Sequence, residues 1–227
     1  MPHTISVSLG PEWIKKAIVV SHERSGTHFL MNTLADSFQY VSYPWINMDI
    51  DQPINWWAAD NLLSFLMSMK GEPVLNIVKS HHSVEFFLPV LEEVLEEFHL
   101  FYIYREPQAV MESLCRHLNA IPWNAGPKVE SGAALAATEP SGSLLRYQAR
   151  QYPNMRERLL AHQKGWKEGI PEHLRGQIIY VSFEDLRDRF EATVRFIGRQ
   201  LKRAVPKVII KPSREDRVVT PDGVWLQ

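Results

Sequence analysis

Ser21-His-Glu-Arg-Ser-Gly-Thr27 packs a guanidinium, three hydroxyls and a glycine into seven residues. Such a set suits an anion. Arg24 brings charge, Ser25 and Thr27 bring hydroxyl donors, and Gly26 lets backbone approach closely. The ATP-type phosphate loop, Gly-x-x-x-x-Gly-Lys-Ser/Thr, is not matched, because Ser21 stands at its first Gly and Thr27 at its Lys. An ordinary strand-to-helix turn with a Ser-Gly bend would use the same residue types. Further along, Lys79-Ser80-His81-His82 puts an ammonium beside two imidazoles. A neutral imidazole suits proton abstraction near pH 7, and a cation suits a developing negative charge. His81 is the candidate base and His82 its rival. On an extended segment the two point opposite ways. Finally, Arg105 is followed eight positions on by Ser113, a fork and a hydroxyl suited to a phosphate.

The elements that must position these residues are legible as patterns. Lys16–Ser21, Val74–Lys79, Leu100–Tyr104 and Gln177–Ser182 are short apolar runs that predict buried strands. Helical periods predict helices over Thr27–Phe38, Glu85–Phe98, Pro107–Leu118, Leu144–Trp166 (broken or kinked at Pro153) and Glu184–Leu201. Residues 119–143 read as a loop or insertion, and the segment from Lys202 as a basic, partly extended tail. Alternating strands and helices predict an α/β fold with a central parallel sheet between two helical layers, in one domain over residues 1–227. Ligands in such sheets bind beyond the carboxyl ends of the strands. Ser21–Thr27, Lys79–His82 and Arg105 all follow strands, so they are expected to converge there.

Composition narrows the class. The formal net charge is −1, which gives no global field for nucleic acid. The one cysteine, Cys115, allows no intrachain disulfide, and no long apolar run spans a bilayer. The expectation is a cytoplasmic protein. Nine histidines raise the question of a metal, but no His-Glu-x-x-His pattern occurs and a Cys-rich site is excluded.

Ser21-x-x-Arg24-Ser25-Gly26-Thr27-x-Phe29-Leu30 resembles the 5'-phosphosulfate loop of sulfotransferases that use 3'-phosphoadenosine-5'-phosphosulfate (PAPS). Lys79-Ser80-His81 is similar to that family's Lys-Thr-His. The apolar strand ending at Arg105, with Pro107 and Ser113 after it, resembles its 3'-phosphate signature. Ile178-Ile-Tyr-Val-Ser-Phe183-Glu-Asp-Leu186 resembles its strand ending in Tyr-Glu-Asp-Leu. The resemblance runs from about Ala17 to Leu201. It implies a P-loop-like α/β/α fold and transfer of a sulfuryl group from PAPS, leaving 3',5'-adenosine bisphosphate (PAP).

It further implies that Arg24, Ser25, Gly26, Thr27 and His28 hold the 5'-phosphosulfate. Arg105 and Ser113 would hold the 3'-phosphate, and Phe29 and Phe183 would lie by the adenine. His81 would be the base, with Lys79 and Arg24 stabilising the transferring group. No metal is required, since Arg and Lys supply the charge. The implied acceptor is a small molecule, glycan or lipid offering a hydroxyl or an amine. Its pocket walls are expected in the aromatic stretch Tyr40–Met69 and in residues 119–143. Three departures stand out. His28 replaces a second Thr or Ser, Phe183 replaces Tyr, and the family's Arg-Lys-Gly loop is missing, with Arg214 or Arg217 as candidates for its task. Two other readings are an ATP-dependent small-molecule kinase on a related fold and a non-catalytic nucleotide-binding protein.

Overall fold

The structure, a computed structural model, describes residues 15–49, 57–70, 72–120, 128–212, 218–220 and 223–225. Five parallel strands form the central sheet, in the order β2-β3-β1-β4-β5. They are β1 (Lys16–Ser21), β2 (Val41–Asn47), β3 (Asn76–Ser80), β4 (Phe98–Tyr104) and β5 (Ile179–Ser182). Every residue of β1 is buried, which is why its sequence is a continuous apolar run rather than an alternation.

Alternate strand residues feed two cores. Ile18, Val20, Val78, Leu100 and Tyr102 pack on one face with α2 (Ala59–Lys70), α3 (Val84–Phe87) and α4 (Leu91–Glu97). Trp166 of α7 (Met155–Glu168) joins that layer. Ala17, Val19, Ile77, Phe101 and Ile103 face α1 (Thr27–Phe38) and α10 (Phe190–Leu201). A third, smaller cluster joins α5 (Pro107–Ala120), α6 (Gly132–Ala136) and α7 through Val110, Leu114, Leu135 and Leu159. The arrangement is the expected three-layer α/β/α architecture.

Several local expectations are corrected. Glu85–Phe98 is not one helix: a 3-10 turn at Leu88–Val90 carries Pro89, and Phe98 already belongs to β4. Proline cannot continue the hydrogen-bond ladder, so the helix breaks there. Residues 119–143 are not simply a loop, since α5 runs to Ala120 and α6 lies inside the stretch. The Leu144–Trp166 helix becomes a 3-10 helix at Gly142–Tyr147 and then α7, which begins only after Pro153, capped by Asn154 accepting from the Glu157 N–H at 2.8 Å. The single helix over Glu184–Leu201 is two, α9 (Phe183–Asp188) and α10, divided at Arg189, whose φ of −121° and ψ of 45° leave the helical region. β2 falls where pocket wall was expected. Its Pro44 is tolerated because β2 is an edge strand. In the tail, Val218–Thr220 and Gly223–Trp225 pair antiparallel.

Strand register sets the site. Val20 pairs with Ser80, Asn47 with Lys79, Ser21 with Ile103 and Tyr104 with Ser182. The carboxyl ends of all five strands therefore lie at one edge, together with the loops that follow them.

Candidate functional site

A cleft of about 460 Å³ opens at that edge. Arg24, Gly26, Thr27, His28, Phe29, Lys79, His81, Arg105, Ser113 and Phe183 all line it. Ser25 does not line it. Its side chain is buried, and its hydroxyl has no hydrogen-bond partner.

The β1–α1 loop is built for a tight turn. Arg24 and Gly26 have φ of 63° and 96°. A Cβ on Gly26 would meet the Phe183 ring at 2.4 Å, so glycine is required for both its conformation and its lack of bulk. Gly26 caps α1 without a side-chain cap bond. The first N–H groups of a helix have no partner within the helix, and its dipole is positive at that end. Thr27 Oγ1 is tied back to Ser21 Oγ at 2.6 Å.

First and third clusters touch directly. Arg24 Nε donates to Ser113 Oγ at 3.3 Å, and Arg105 Nη1 donates to the Arg24 carbonyl at 3.4 Å. The Arg105 guanidinium lies over the Phe183 ring, 4.3 Å from its centroid, and its Nε has no acceptor. Among the described residues no carboxylate forms a salt bridge with Arg105. Phe29 is buried between Phe183 and Phe190, so it mainly supports the Phe183 ring. Glu184 accepts from the Glu106 N–H at 3.2 Å and Ser182 caps α9. Both acids at this helix start serve the favourable end of the dipole.

At the second cluster the two histidines separate. His81 faces the cleft. His82 turns into an aromatic cluster, stacked on Phe86 at 4.0 Å, with its Nδ1 3.0 Å from Ser80 Oγ. Burial pushes His82 down to about 4. His81 Nδ1 lies 2.9 Å from the Ser21 carbonyl oxygen and 3.2 Å from Ser21 Oγ. A carbonyl only accepts, so Nδ1 carries the hydrogen and Nε2 keeps its lone pair. Burial lowers His81 below its ordinary value, with Asp49 pulling the other way, so the imidazole rests neutral.

Asp49 is the residue that sequence reasoning missed. It lies just past β2, is buried, and ion-pairs with Lys79. Its Oδ1 accepts from the His81 backbone N–H at 2.9 Å, and its Oδ2 is 3.5 Å from His81 Nε2. Burial pushes this carboxyl up, but His81 and Lys79 outweigh that and hold it below the usual range. An acid at the carboxyl end of a strand was the available signal, once β2 had been recognised as one.

A second polar group runs from Glu23, which also lines the cleft, down into α7. Arg158 of α7 grips Glu23 with two bonds of 2.9 Å, and its Nη1 donates to His22 Nε2 at 2.9 Å. His22 is pushed down to about 4, chiefly by burial, so its contact with Glu23 is not an ion pair. His162 Nδ1 accepts from Tyr102 Oη at 3.0 Å. Its Nε2 sits 3.2 Å from the carbonyl oxygens of both His81 and His82. One helix thus braces the anion loop and the histidine loop together.

His28 packs edge-on against Trp45, with centroids 4.8 Å apart. Burial first, and then Lys79, His81 and Arg24, press it down to about 3. Of the expected acceptor walls, residues 50–56 and 121–127 lie outside the described residues; the described parts of Tyr40–Met69 and 119–143 do not line the cleft, whereas Leu114, His117, Leu118, Leu144 and Tyr147 do. Leu62, Leu66 and Met69 are buried in the core instead. Arg203 donates to the Phe38 carbonyl at 2.7 Å and Lys211 to the Arg187 carbonyl, while Arg214 and Arg217 lie outside the described residues. No three His, Cys, Asp or Glu side chains among the described residues come together as metal ligands. No helix among them is long and apolar enough to cross a membrane.

No family model matches the chain, and no curated protein matches it. Among solved structures it resembles mouse sulfotransferase SULT7A1 complexed with PAP, with a TM-score of 0.55 and 18% identity. The match covers 85% of this chain and 60% of that one. With its five parallel strands between two helical layers, the chain has the sulfotransferase fold.

Proposed function

We propose that the chain is a PAPS-dependent sulfotransferase acting on a hydroxyl or amine. The observation that carries this reading is the joining of the clusters in one cleft, with Arg24 bonded to Ser113 and His81 facing the same space. The residues fit the nucleotide. Arg105, at the cleft wall, has a buried Nε without an acceptor, and the Gly26 start of α1 has no side-chain cap bond. Bound PAPS supplies an activated sulfuryl group. Arg24, Ser25, Gly26, Thr27 and His28 hold its 5' end, Arg105 and Ser113 its 3'-phosphate, and Phe183, backed by Phe29, its base. His81 Nε2 takes the acceptor proton. Lys79 and Arg24 offset charge on the transferring oxygens. Leu114, Leu118, Leu144 and Tyr147 give the cleft an apolar side, which favours an apolar alcohol or phenol over a highly polar acceptor.

Calorimetric titration with PAP and with ATP, each without and with Mg²⁺, tests the reading. Metal-independent binding of PAP in preference to ATP is expected. Preference for ATP with Mg²⁺, or no binding of either, overturns it.

A further inference from the structure

Asp49 holds three groups at once. Its carboxylate pairs with Lys79, accepts the His81 backbone N–H, and faces His81 Nε2. It does not line the cleft. We propose that Asp49 is the positioning residue for the base: it fixes the His81 loop and supplies the counter-charge for the imidazolium formed when Nε2 takes the acceptor proton. The inference rests on the proposed sulfotransferase reading for its chemistry, though its geometry stands without it.

The acceptor O–H bond breaks and its proton bonds to His81 Nε2. The acceptor oxygen bonds to sulfur as the sulfur–oxygen bond to the 5'-phosphate breaks, and that electron pair leaves on PAP. His81 thereby becomes cationic in a buried place. An unpaired buried cation is costly, and an adjacent carboxylate offsets the cost. Asp49 is that carboxylate, at 3.5 Å. Before reaction its charge is balanced by Lys79. If the sulfuryl oxygens draw the Lys79 ammonium toward the cleft, the carboxylate is released to His81 as it becomes charged.

Besides Asp49, other titratable and charged groups face His81, among them neutral His22 of the β1–α1 loop and neutral His82 next in sequence. From β3, Lys79 opposes its protonation; from the β1–α1 loop, Glu23 favours it, although Glu23 is bound to Arg158. From α1 comes neutral His28, from α7 neutral His162, and from the 3-10 helix the edge-on ring of Tyr147 at 5.9 Å. Among the described residues, only Asp49 places a carboxylate beside Nε2.

The test is an NMR titration of the His81 Cε1–H resonance in the full chain and in Asp49→Asn, with PAP affinity measured on both by calorimetry. Asn keeps an oxygen for the His81 N–H and removes the charge. The His81 midpoint should fall by about one pH unit or more, while PAP affinity holds. Asp49→Glu should bring the midpoint back toward that of the unaltered chain. An unmoved midpoint in folded Asp49→Asn overturns the proposal. Should that variant not fold, the Asp49 carboxyl ¹³C resonance of the unaltered chain decides. It must inflect at the pH where His81 titrates and lose that inflection in His81→Gln; a flat trace there also overturns it. Absence of PAP binding to the unaltered chain, with the His81 shift intact, would instead sink the sulfotransferase reading and leave the Asp49–His81 coupling standing.

Discussion

Two arginines close to the same loop lead different lives. Arg158, beneath the cleft, is 2% exposed and spends both terminal nitrogens on Glu23, with His22 sharing one of them. Arg105, at the cleft wall, holds a carbonyl oxygen at 3.4 Å and the face of Phe183. The first is a closed account of charge, plus with minus; the second is an open one. A protein tolerates an open cation at a concave surface when something else completes it, and an anion is what completes a guanidinium. The lower network therefore reads as scaffold and the upper group as site. The same division separates His162, engaged at both nitrogens, from His81, whose Nε2 keeps its lone pair.

The sharpest break in this comparison comes from His81→Ala. On the open side, loss of the base should cost turnover without costing nucleotide binding. PAP release from PAPS with a panel of alcohols and phenols should fall by about 10²–10⁴-fold, while calorimetric PAP affinity is retained. Persistence of turnover in this variant, together with its loss in His82→Ala, would transfer the role to the neighbour.

On the closed side the expected loss is of stability. Arg158→Ala would strand the buried Glu23 carboxylate, which Arg158 holds well below its ordinary range against the opposing effect of burial. Removing one partner of a buried pair costs about 3–5 kcal/mol. Chemical denaturation should show a loss of that order, and the double variant Glu23→Gln with Arg158→Met should recover part of it. A loss in the double variant larger than in Arg158→Ala would mean that the pair is not the unit.

Arg105→Ala should separate the two sides again, at smaller cost. A hydrogen bond to a charged group contributes about 1.5–3 kcal/mol, so PAP should bind roughly 10–100-fold more weakly. The denaturation midpoint should stay near that of the unaltered chain, because Arg105 holds no buried carboxylate. Unchanged PAP affinity would put the 3'-phosphate elsewhere.

The open side was far more legible in sequence than the closed side, for a physical reason. Arg24, Gly26, Lys79, His81 and Arg105 each sit next to the strand that positions them, so local order along the chain brought them to one edge once the sheet was parallel. Glu23 and Arg158 are 135 positions apart, and nothing local in Met155–Glu168 distinguishes a buried Arg from a solvated one. Asp49 was hidden for a related reason. The proline and aromatics of Val41–Asn47 conceal an edge strand, and without β2 there is no carboxyl end for Asp49 to occupy. Phe98 and Arg189 were misread because helix ends depend on tertiary contacts more than on period.

Acid offers the finest test of the contrast. His22 in the lower network and His28 in the cleft are pushed by burial to about 4 and about 3, from an ordinary 6.5. Both folded values are depressed, so as pH falls the unfolded chain takes up protons first. Their contribution to stability is full above 6.5 and is lost as pH falls toward those folded values. Thermal scans from pH 7 to pH 5 should therefore show a falling midpoint. PAP should change one histidine and not the other. An anion bound beside His28 favours its imidazolium, whereas His22 is committed to Arg158 and to the Glu23 carbonyl. Saturating PAP should consequently make the midpoint of the unaltered chain fall less steeply with pH than it does without PAP, and should leave the slope of His28→Gln as it was. If PAP leaves the slope of the unaltered chain unchanged as well, His28 does not face the bound anion, and the 5' end must be held by Arg24, Ser25, Gly26 and Thr27 without it.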